Sequence, residues 1–532
     1  MAKNKYFDFH TPVFIPSALI IILFVTITLY VGDPVEQLFQ EWQTALYDNV
    51  GWFFVIVMNT MVIMALVIAF GKLGKIRLGG PTATPEFSNF SWYSMLFSAG
   101  MGIGLVYFGV AEPIQHTIAP PKPVGSEVKA AEQAFQFTFL HYGVHPWGVY
   151  GMVALSLAFF TFNRKLPLSV RSLFAPILKR KIYGPIGDVV DILAVIACIF
   201  GLATTLGFGA QQLSSGISFL FGTEDTVRAQ VIIITLVTLA ATTSVILGLD
   251  KGVRVLSEAN IRISVIFLFG MLILGPTVYI LDSFIENVGL YFQNLLEISS
   301  YTEVYSETAW QNNWTIFYWA WWIAWSPFVG IFIARVSKGR TIREFLVSVV
   351  LLPTAFSFFW FTVFGSSAIY LELNGLAPIG EAVDQNISTA LFSLLGEYPL
   401  SKVMSFIGVL LIIGFFVTSS DSGSLVIDSI TSGGKLDAPV GQRIFWALAE
   451  GALAATLLIG GGLVTLQTAV MLASLPFAML LLVMGYSLVV GLRREQRKNM
   501  RMRIRRLQRR EMASWEYNYR EMVEENEDDD DQ

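Results

Sequence analysis

The residues of this chain best suited to chemistry are aromatic. Residues 313–328 read NWTIFYWAWWIAWSPF, and five tryptophans, Trp314, Trp319, Trp321, Trp322 and Trp325, fall within twelve positions. An interfacial aromatic belt explains Trp314 and Trp319 at one membrane boundary, but the other three continue about two helical turns deeper. Helical spacing puts Trp321 and Trp325 on one face and turns Trp322 elsewhere. A second aromatic group, Tyr142, Trp147 and Tyr150, brackets His145 and Pro146. Ring faces attract cations, so these two groups could surround a methylated nitrogen, which is positive and has no proton to donate.

Hard oxygen donors form a second candidate. Residues 415–422 read FFVTSSDS, a hydroxyl cluster within an apolar run. Sodium prefers such hard oxygen ligands, although an isolated pair of hydroxyls is more often satisfied by bonding to the carbonyl four residues earlier. The backbone supplies a third. Residues 99–104 (AGMGIG) and 326–330 (SPFVG) are rich in residues that interrupt a helix or let backbones approach. They lie five apolar runs apart, where carriers built from inverted repeats break a helix and expose carbonyls; tight helix packing is the plainer alternative. The glycine run is no dinucleotide fingerprint, because it sits inside an apolar run rather than between a strand and a helix. Glu112 and Asp421 fall at membrane depth, where an ionisable group is costly, and each is either functional or the partner of an arginine. The single cysteine, Cys198, has no disulfide partner, and the four histidines show no metal-ligand spacing, so no redox or metal cofactor is expected.

Composition dictates the framework for these residues. Of 532 residues, 54% are hydrophobic and 14% charged, and the mean hydropathy of +0.60 rules out a water-soluble surface. Apolar runs at 13–31, 51–70, 92–110, 137–162, 189–213, 229–249, 263–281, 314–334, 345–371, 403–427, 444–462 and 466–491 predict an all-α integral membrane protein with twelve transmembrane helices, at about 20 residues per span. A β-barrel would show short alternating segments instead. Residues 1–10 do not form a cleavable leader, and the first run reads as the first span.

Lysine and arginine concentrate in alternate loops: at Lys72, Lys75 and Arg77, from Arg164 to Lys181, at Lys251 and Arg254, and from Arg335 to Arg343. Loops 32–50, 282–313 and 372–401 have none. The bias predicts an inner-membrane protein with both termini cytoplasmic. Segments 250–261 and 285–298 read as interfacial helices or polar loops. The tail is basic over 493–510, suited to an anionic inner leaflet, and then acidic over 521–532, a composition that implies disorder.

Gly100 to Gly104, His145-Pro146-Trp147, and the run from Asn313 to Phe328 resemble the betaine/choline/carnitine transporter family over nearly the whole span region. The resemblance implies a LeuT-type core of two inverted five-helix repeats behind two extra N-terminal helices. The chain would divide into 1–91, a first repeat at 92–284, an amphipathic linker at 285–313, a second repeat at 314–492 and a tail at 493–532. It implies a homotrimer and sodium-coupled import of a betaine-like compatible solute for osmoprotection. Position by position it places the substrate at Tyr142, Trp147, Tyr150 and Trp322 with Met101 and Gly104, and a route lined by Trp321, Trp325 and Phe332. Sodium would sit at the Thr418 and Ser419 side chains with carbonyls of Ser98, Met101 and Phe415. A second sodium site would use Thr204, Thr205 and Phe328. Betaine carriers often have tryptophan where this chain has Tyr142, and choline carriers have aspartate where it has Gly104, so Gly104 favours a zwitterion.

The rival within transport is a proton-driven or exchanging choline or carnitine carrier. A membrane enzyme would need a nucleophile, a metal cluster or an acid/base pair near the aromatic cage, and the sequence offers none. A sensor would have only the charged tail in its favour. No feature suggests nucleic acid as a partner.

Overall fold

A computed structural model describes residues 8–32, 34–100, 102–247, 253–306, 308–435 and 439–530. Its long helices are α1 (Thr11–Val31), α2 (Pro34–Phe70), α3 (Asn89–Gly100), α4 (Ile103–Ile118), α5 (Glu127–Tyr142), α6 (Val144–Ala158), α7 (Pro185–Phe221), α8 (Val227–Leu247), α9 (Val253–Leu274), α10 (Thr277–Ser299), α11 (Phe317–Val336), α12 (Ile342–Phe361), α13 (Ser401–Thr431), α14 (Val440–Ile459) and α15 (Gly462–Asp530). Among the described residues there is no strand, only an isolated bridge between Arg77 and Thr341.

Eleven helical segments among the described residues are long and apolar enough to cross a membrane. They correspond to eleven of the twelve predicted runs. The run at 92–110 differs because it is divided between α3 and α4, of 12 and 16 residues, each too short to span alone. Gly102 is extended, with φ −165° and ψ −179°, and α4 begins at Ile103 without a side-chain cap. Met101 lies outside the described residues.

The matching interruption expected at 326–330 is not there, since α11 runs unbroken from Phe317 to Val336 with Pro327 inside it. Proline has no N–H and leaves the carbonyl four residues earlier, that of Ile323, without its helical donor. The Ser326 hydroxyl donates to that carbonyl at 2.7 Å. The hydroxyl beside the proline therefore repairs the helix that the proline would break.

Helix α7, 37 residues long, runs through the centre of the bundle, packed against α11, α13 and α15. Two of its glycines permit this approach: a Cβ at Gly207 would lie 2.6 Å from Leu466 Cδ1, and one at Gly209 would lie 2.7 Å from Ile103 Cδ1. At the end of the bundle bearing the basic loops, the chain after α2 pairs with the chain after α11. The Leu78 N–H donates to the Arg340 carbonyl and the Gly339 N–H to the Leu78 carbonyl, each at 2.9 Å. The buried Arg340 guanidinium lies 4.4 Å from the Trp92 ring.

Three further expectations concern the connections and the tail. Residues 253–261 form the first turns of α9, and residues 250–252 lie outside the described residues. Segment 285–298 belongs to α10, which is not one of the eleven spanning segments. One side of α10 is buried at Ile280 and Tyr291, while Val278, Ile285, Phe292 and Leu296 stay exposed. The acidic end, whose composition implied disorder, continues the helix to Asp530. Residues 493–530 contain no glycine or proline to stop it; residues 531 and 532 lie outside the described residues.

The repair at Pro327 is testable. Ser326→Ala leaves the buried Ile323 carbonyl without a donor and should cost about 1–3 kcal/mol of stability. Adding Pro327→Ala restores a backbone N–H and should recover most of that loss. Thermal unfolding of the two variants in detergent distinguishes this from an independent effect at each position.

Candidate solute-binding site

The start of α4, the junction of α5 with α6, and the middles of α7 and α11 converge on a cavity of ≈ 50 Å³. Roughly 10–15 Å³ holds one water, so this space is several times larger. One wall is backbone, from Gly102 to Leu105. Gly104 is required there by close approach: a Cβ would lie 3.0 Å from Trp321 Cη2 and 3.5 Å from the Tyr142 hydroxyl.

The remaining walls are aromatic, and Tyr142, Trp147, Tyr150, Trp321, Trp322 and Trp325 all line the cavity. Trp147 meets Tyr150 edge-on at 5.4 Å, Tyr150 meets Trp322 at 6.1 Å, and Tyr142 meets Trp322 at 5.3 Å. Trp321 and Trp322 stack at 4.9 Å with 14° between their planes. Helical spacing sent Trp322 to another face, and its Nε1 does find a separate partner, donating to the His141 carbonyl at 2.7 Å. Its ring nevertheless folds back against Trp321 and joins the same cavity.

Three of the four cavity indoles, Trp321, Trp322 and Trp325, are each aimed by their one polar atom. Trp321 Nε1 donates to Thr205 Oγ1 at 3.1 Å, and Trp325 Nε1 donates to the same oxygen at 3.0 Å and to the Gly201 carbonyl at 3.0 Å. Gly201 permits this, since a Cβ there would lie 2.9 Å from Trp325 Cδ1. The Tyr150 hydroxyl is buried and has no partner among the described residues.

Several predicted residues lie apart from the cavity. Phe332 packs half-buried against the core, and Phe328 stands edge-on to Trp325 at 5.1 Å; neither lines the cavity. Thr204 Oγ1 donates to the carbonyls of Phe200 at 2.9 Å and Leu466 at 3.0 Å. Thr205 lines the cavity, but its hydroxyl donates to Gly201 and accepts from two indoles. Its lone pairs are thus occupied in this conformation.

At the predicted sodium position, Thr418 Oγ1 donates to the Gly414 carbonyl at 2.9 Å and accepts from Asn260 Nδ2 at 3.3 Å. Ser419 and Phe415 are buried beside it. Met101 and the side chain of Ser98 lie outside the described residues.

Sequence spacing missed a buried polar group linked to the cavity wall. Glu112 accepts from the Tyr318 hydroxyl through Oε2. Its Oε1 lies 2.6 Å from His141 Nδ1 and 3.3 Å from His116 Nε2. None of these three partners is an arginine. Ligand atoms of Glu112, His116 and His141 fall within 4.8 Å of one another, which corrects the reading of the histidines as scattered. The 2.6 Å contact is a hydrogen-bond length, shorter than the separation of two ligands around one metal. The i, i+4 spacing of Glu112 and His116 was the available signal; His141 arrives from α5 and has none. Asp421 accepts from the Ser244 hydroxyl at 2.5 Å.

A family model described as betaine/carnitine/choline family transporter matches residues 12–497. A glycine betaine transporter of Acinetobacter baylyi is 44% identical over 497 residues, covering 93% of this chain and 75% of that protein. Glycine betaine transporter 1 of Vibrio parahaemolyticus is 45% identical over 498 residues, covering 92% of this chain and 95% of its own. A glycine betaine/proline/choline transporter of the same organism is 43% identical over 508 residues, covering 92% and 91%.

The shared acceptor for two indoles yields a prediction. Thr205→Val removes the oxygen that holds Trp321 and Trp325, and should lower stability by about 1–3 kcal/mol. Tryptophan emission should shift with it. Thr205→Ser, which keeps the oxygen, should restore both thermal stability and the wild-type spectrum.

Proposed function

The chain belongs to the betaine/carnitine/choline transporter family, and on that premise we propose that it imports a zwitterionic betaine by sodium-coupled alternating access. It is an integral membrane protein and a transporter rather than an enzyme. One observation carries the choice of solute: among the described residues, no charged side chain lines the aromatic cavity. A net cation buried there would lack a counter-charge, whereas a zwitterion carries its own.

The two ends of such a solute find different surroundings. A methylated ammonium head faces the rings of Trp147, Tyr150, Trp321 and Trp322, worth about 2 kcal/mol or more when desolvated. The carboxylate suits the first turn of α4, whose N–H groups no side chain caps and whose dipole is positive there. The names of two relatives, glycine betaine transporter, agree with this reading, while the third adds proline and choline.

Sodium at Thr418 and Ser419 is the coupling element of the proposal. Loading would turn the Thr418 lone pairs from Asn260 Nδ2 toward the ion, with the Phe415 carbonyl one turn away. Thr204, Thr205 and Phe328 remain the second position, requiring the two indoles to release Thr205. The same reading takes α3 to α9 and α11 to α15 as inverted five-helix repeats, with α10 between them. It also takes both termini as cytoplasmic, the basic tail as lying on an anionic inner leaflet, and a homotrimer as the assembly.

Uptake of glycine betaine into proteoliposomes tests this. Trp322→Leu should weaken binding at least about tenfold, with Trp322→Phe milder. Alanine at both Thr418 and Ser419 should steeply raise the sodium requirement. Uptake indifferent to sodium in the wild type would remove the coupling, and stronger binding of choline than of any betaine would remove the zwitterion reading.

Gly104→Asp should move preference toward choline by supplying the missing counter-charge. The new Cβ would start 3.0 Å from Trp321 Cη2, so the indole must shift, and glycine betaine affinity should fall at the same time. Paired choline and betaine titrations measure both effects.

A further inference from the structure

We propose that Glu112 is the positioning residue of the aromatic walls, fixing Tyr142 through Tyr318 and Trp322 through His141. The proposal rests on the cavity being the solute site. Glu112 lies on α4, fully buried and outside the cavity lining, so it acts through other groups.

The first arm runs to Tyr142. With its proton given to Glu112 Oε2, the Tyr318 oxygen can only accept. The Tyr142 hydroxyl shares its one proton between that oxygen at 3.3 Å and the Gly104 carbonyl at 3.2 Å. The phenol is thus held between α11 and the backbone that forms the opposite wall.

The second arm runs to Trp322. His141 is held at both ring nitrogens, Nδ1 at 2.6 Å from Glu112 Oε1 and Nε2 at 2.9 Å from Thr315 Oγ1. Its backbone carbonyl accepts Trp322 Nε1 at 2.7 Å. Tyr142 and Trp322 face each other at 5.3 Å and 78°, and the position of each traces to the same carboxylate. Tyr318 approaches this carboxyl group as a donor, and an apolar residue of equal volume would leave the Tyr318 proton and His141 Nδ1 without the partner they have here.

Glutamine is the informative substitution. Its carbonyl can still accept from Tyr318, and its amide can donate to His141 Nδ1 once that ring moves its proton to Nε2, facing Thr315. Positioning therefore survives Glu112→Gln but not Glu112→Leu.

The test is titration of the purified full chain with glycine betaine, followed by tryptophan fluorescence, alongside uptake in proteoliposomes. Wild-type protein that neither binds nor transports glycine betaine would overturn the solute site itself rather than the relay. Given wild-type binding, Glu112→Leu should weaken affinity about tenfold or more and Tyr318→Phe about fivefold. Glu112→Gln should stay within about threefold of wild type, and maximal uptake per folded protein should change less than affinity. Tyr318→Phe combined with Tyr142→Phe should bind no more weakly than the weaker single variant, because both cut one arm. The proposal is overturned if Tyr318→Phe binds like wild type, if Glu112→Gln is as weak as Glu112→Leu, or if the two tyrosine substitutions add. Should Glu112→Leu fail to fold, Tyr318→Phe and Glu112→Gln still decide the matter.

Discussion

A backbone group without a partner costs several kcal/mol in hydrocarbon, and the site lies where the chain meets that constraint in two opposite ways. In α11 the carbonyl orphaned by Pro327 is taken by Ser326, and the helix stays whole. In the third apolar run nothing comparable happens. The helix stops at Gly100, restarts at Ile103 and presents an uncapped first turn to the cavity. Polar backbone at membrane depth is tolerable only where it lines a cavity or is covered by protein, and here it does both. Helix α11 can then carry the aromatic wall because it remains rigid opposite the break.

The density of tryptophan serves structure and recognition together. An indole has one donor, and burying it unpaired is costly, so the position of an acceptor decides where the ring lies. Gly201 and Thr205 on α7 fix Trp321 and Trp325, and the His141 carbonyl fixes Trp322. The same rule extends beyond the cavity: Trp360 donates to the Leu105 carbonyl at 2.8 Å and Trp92 to Ser337 Oγ at 3.0 Å. These edge bonds tie neighbouring helices while leaving the ring faces to pack or to meet a cation.

The apolar runs were legible because bilayer thickness sets a length that composition reveals directly, and eleven reappear as spanning segments. The break at Gly102 was legible because glycine weakens a helix, and Gly104 just beyond it admits Trp321 against the backbone. The symmetric break at Pro327 was misread because the repair depends on one hydroxyl at the adjacent position, which a count of helix breakers ignores. The aromatic cluster could be seen in the spacing, but the ring of Trp322 could not. Periodicity gives the direction of a Cα–Cβ bond, whereas the ring is placed by an acceptor that α5 brings in from 181 positions away. Phe332, in phase with the cluster, lies outside the cavity lining and half-buried against the core.

The polar group around Glu112 was the least legible part of the site and follows from the same physics. A tyrosine in a dry wall needs a partner for its hydroxyl, and each partner brings a further polar group until the chain ends on one that only accepts. Tyr142 leads to Tyr318 and Tyr318 to Glu112, which also faces two histidines. No local pattern announces this, because the members come from α4, α5 and α11 and meet only in the folded bundle. Their meeting explains how a cavity without a charged lining can keep a fixed shape. The one carboxylate is withdrawn behind the aromatic wall, where it orders the rings without presenting a charge to what they enclose.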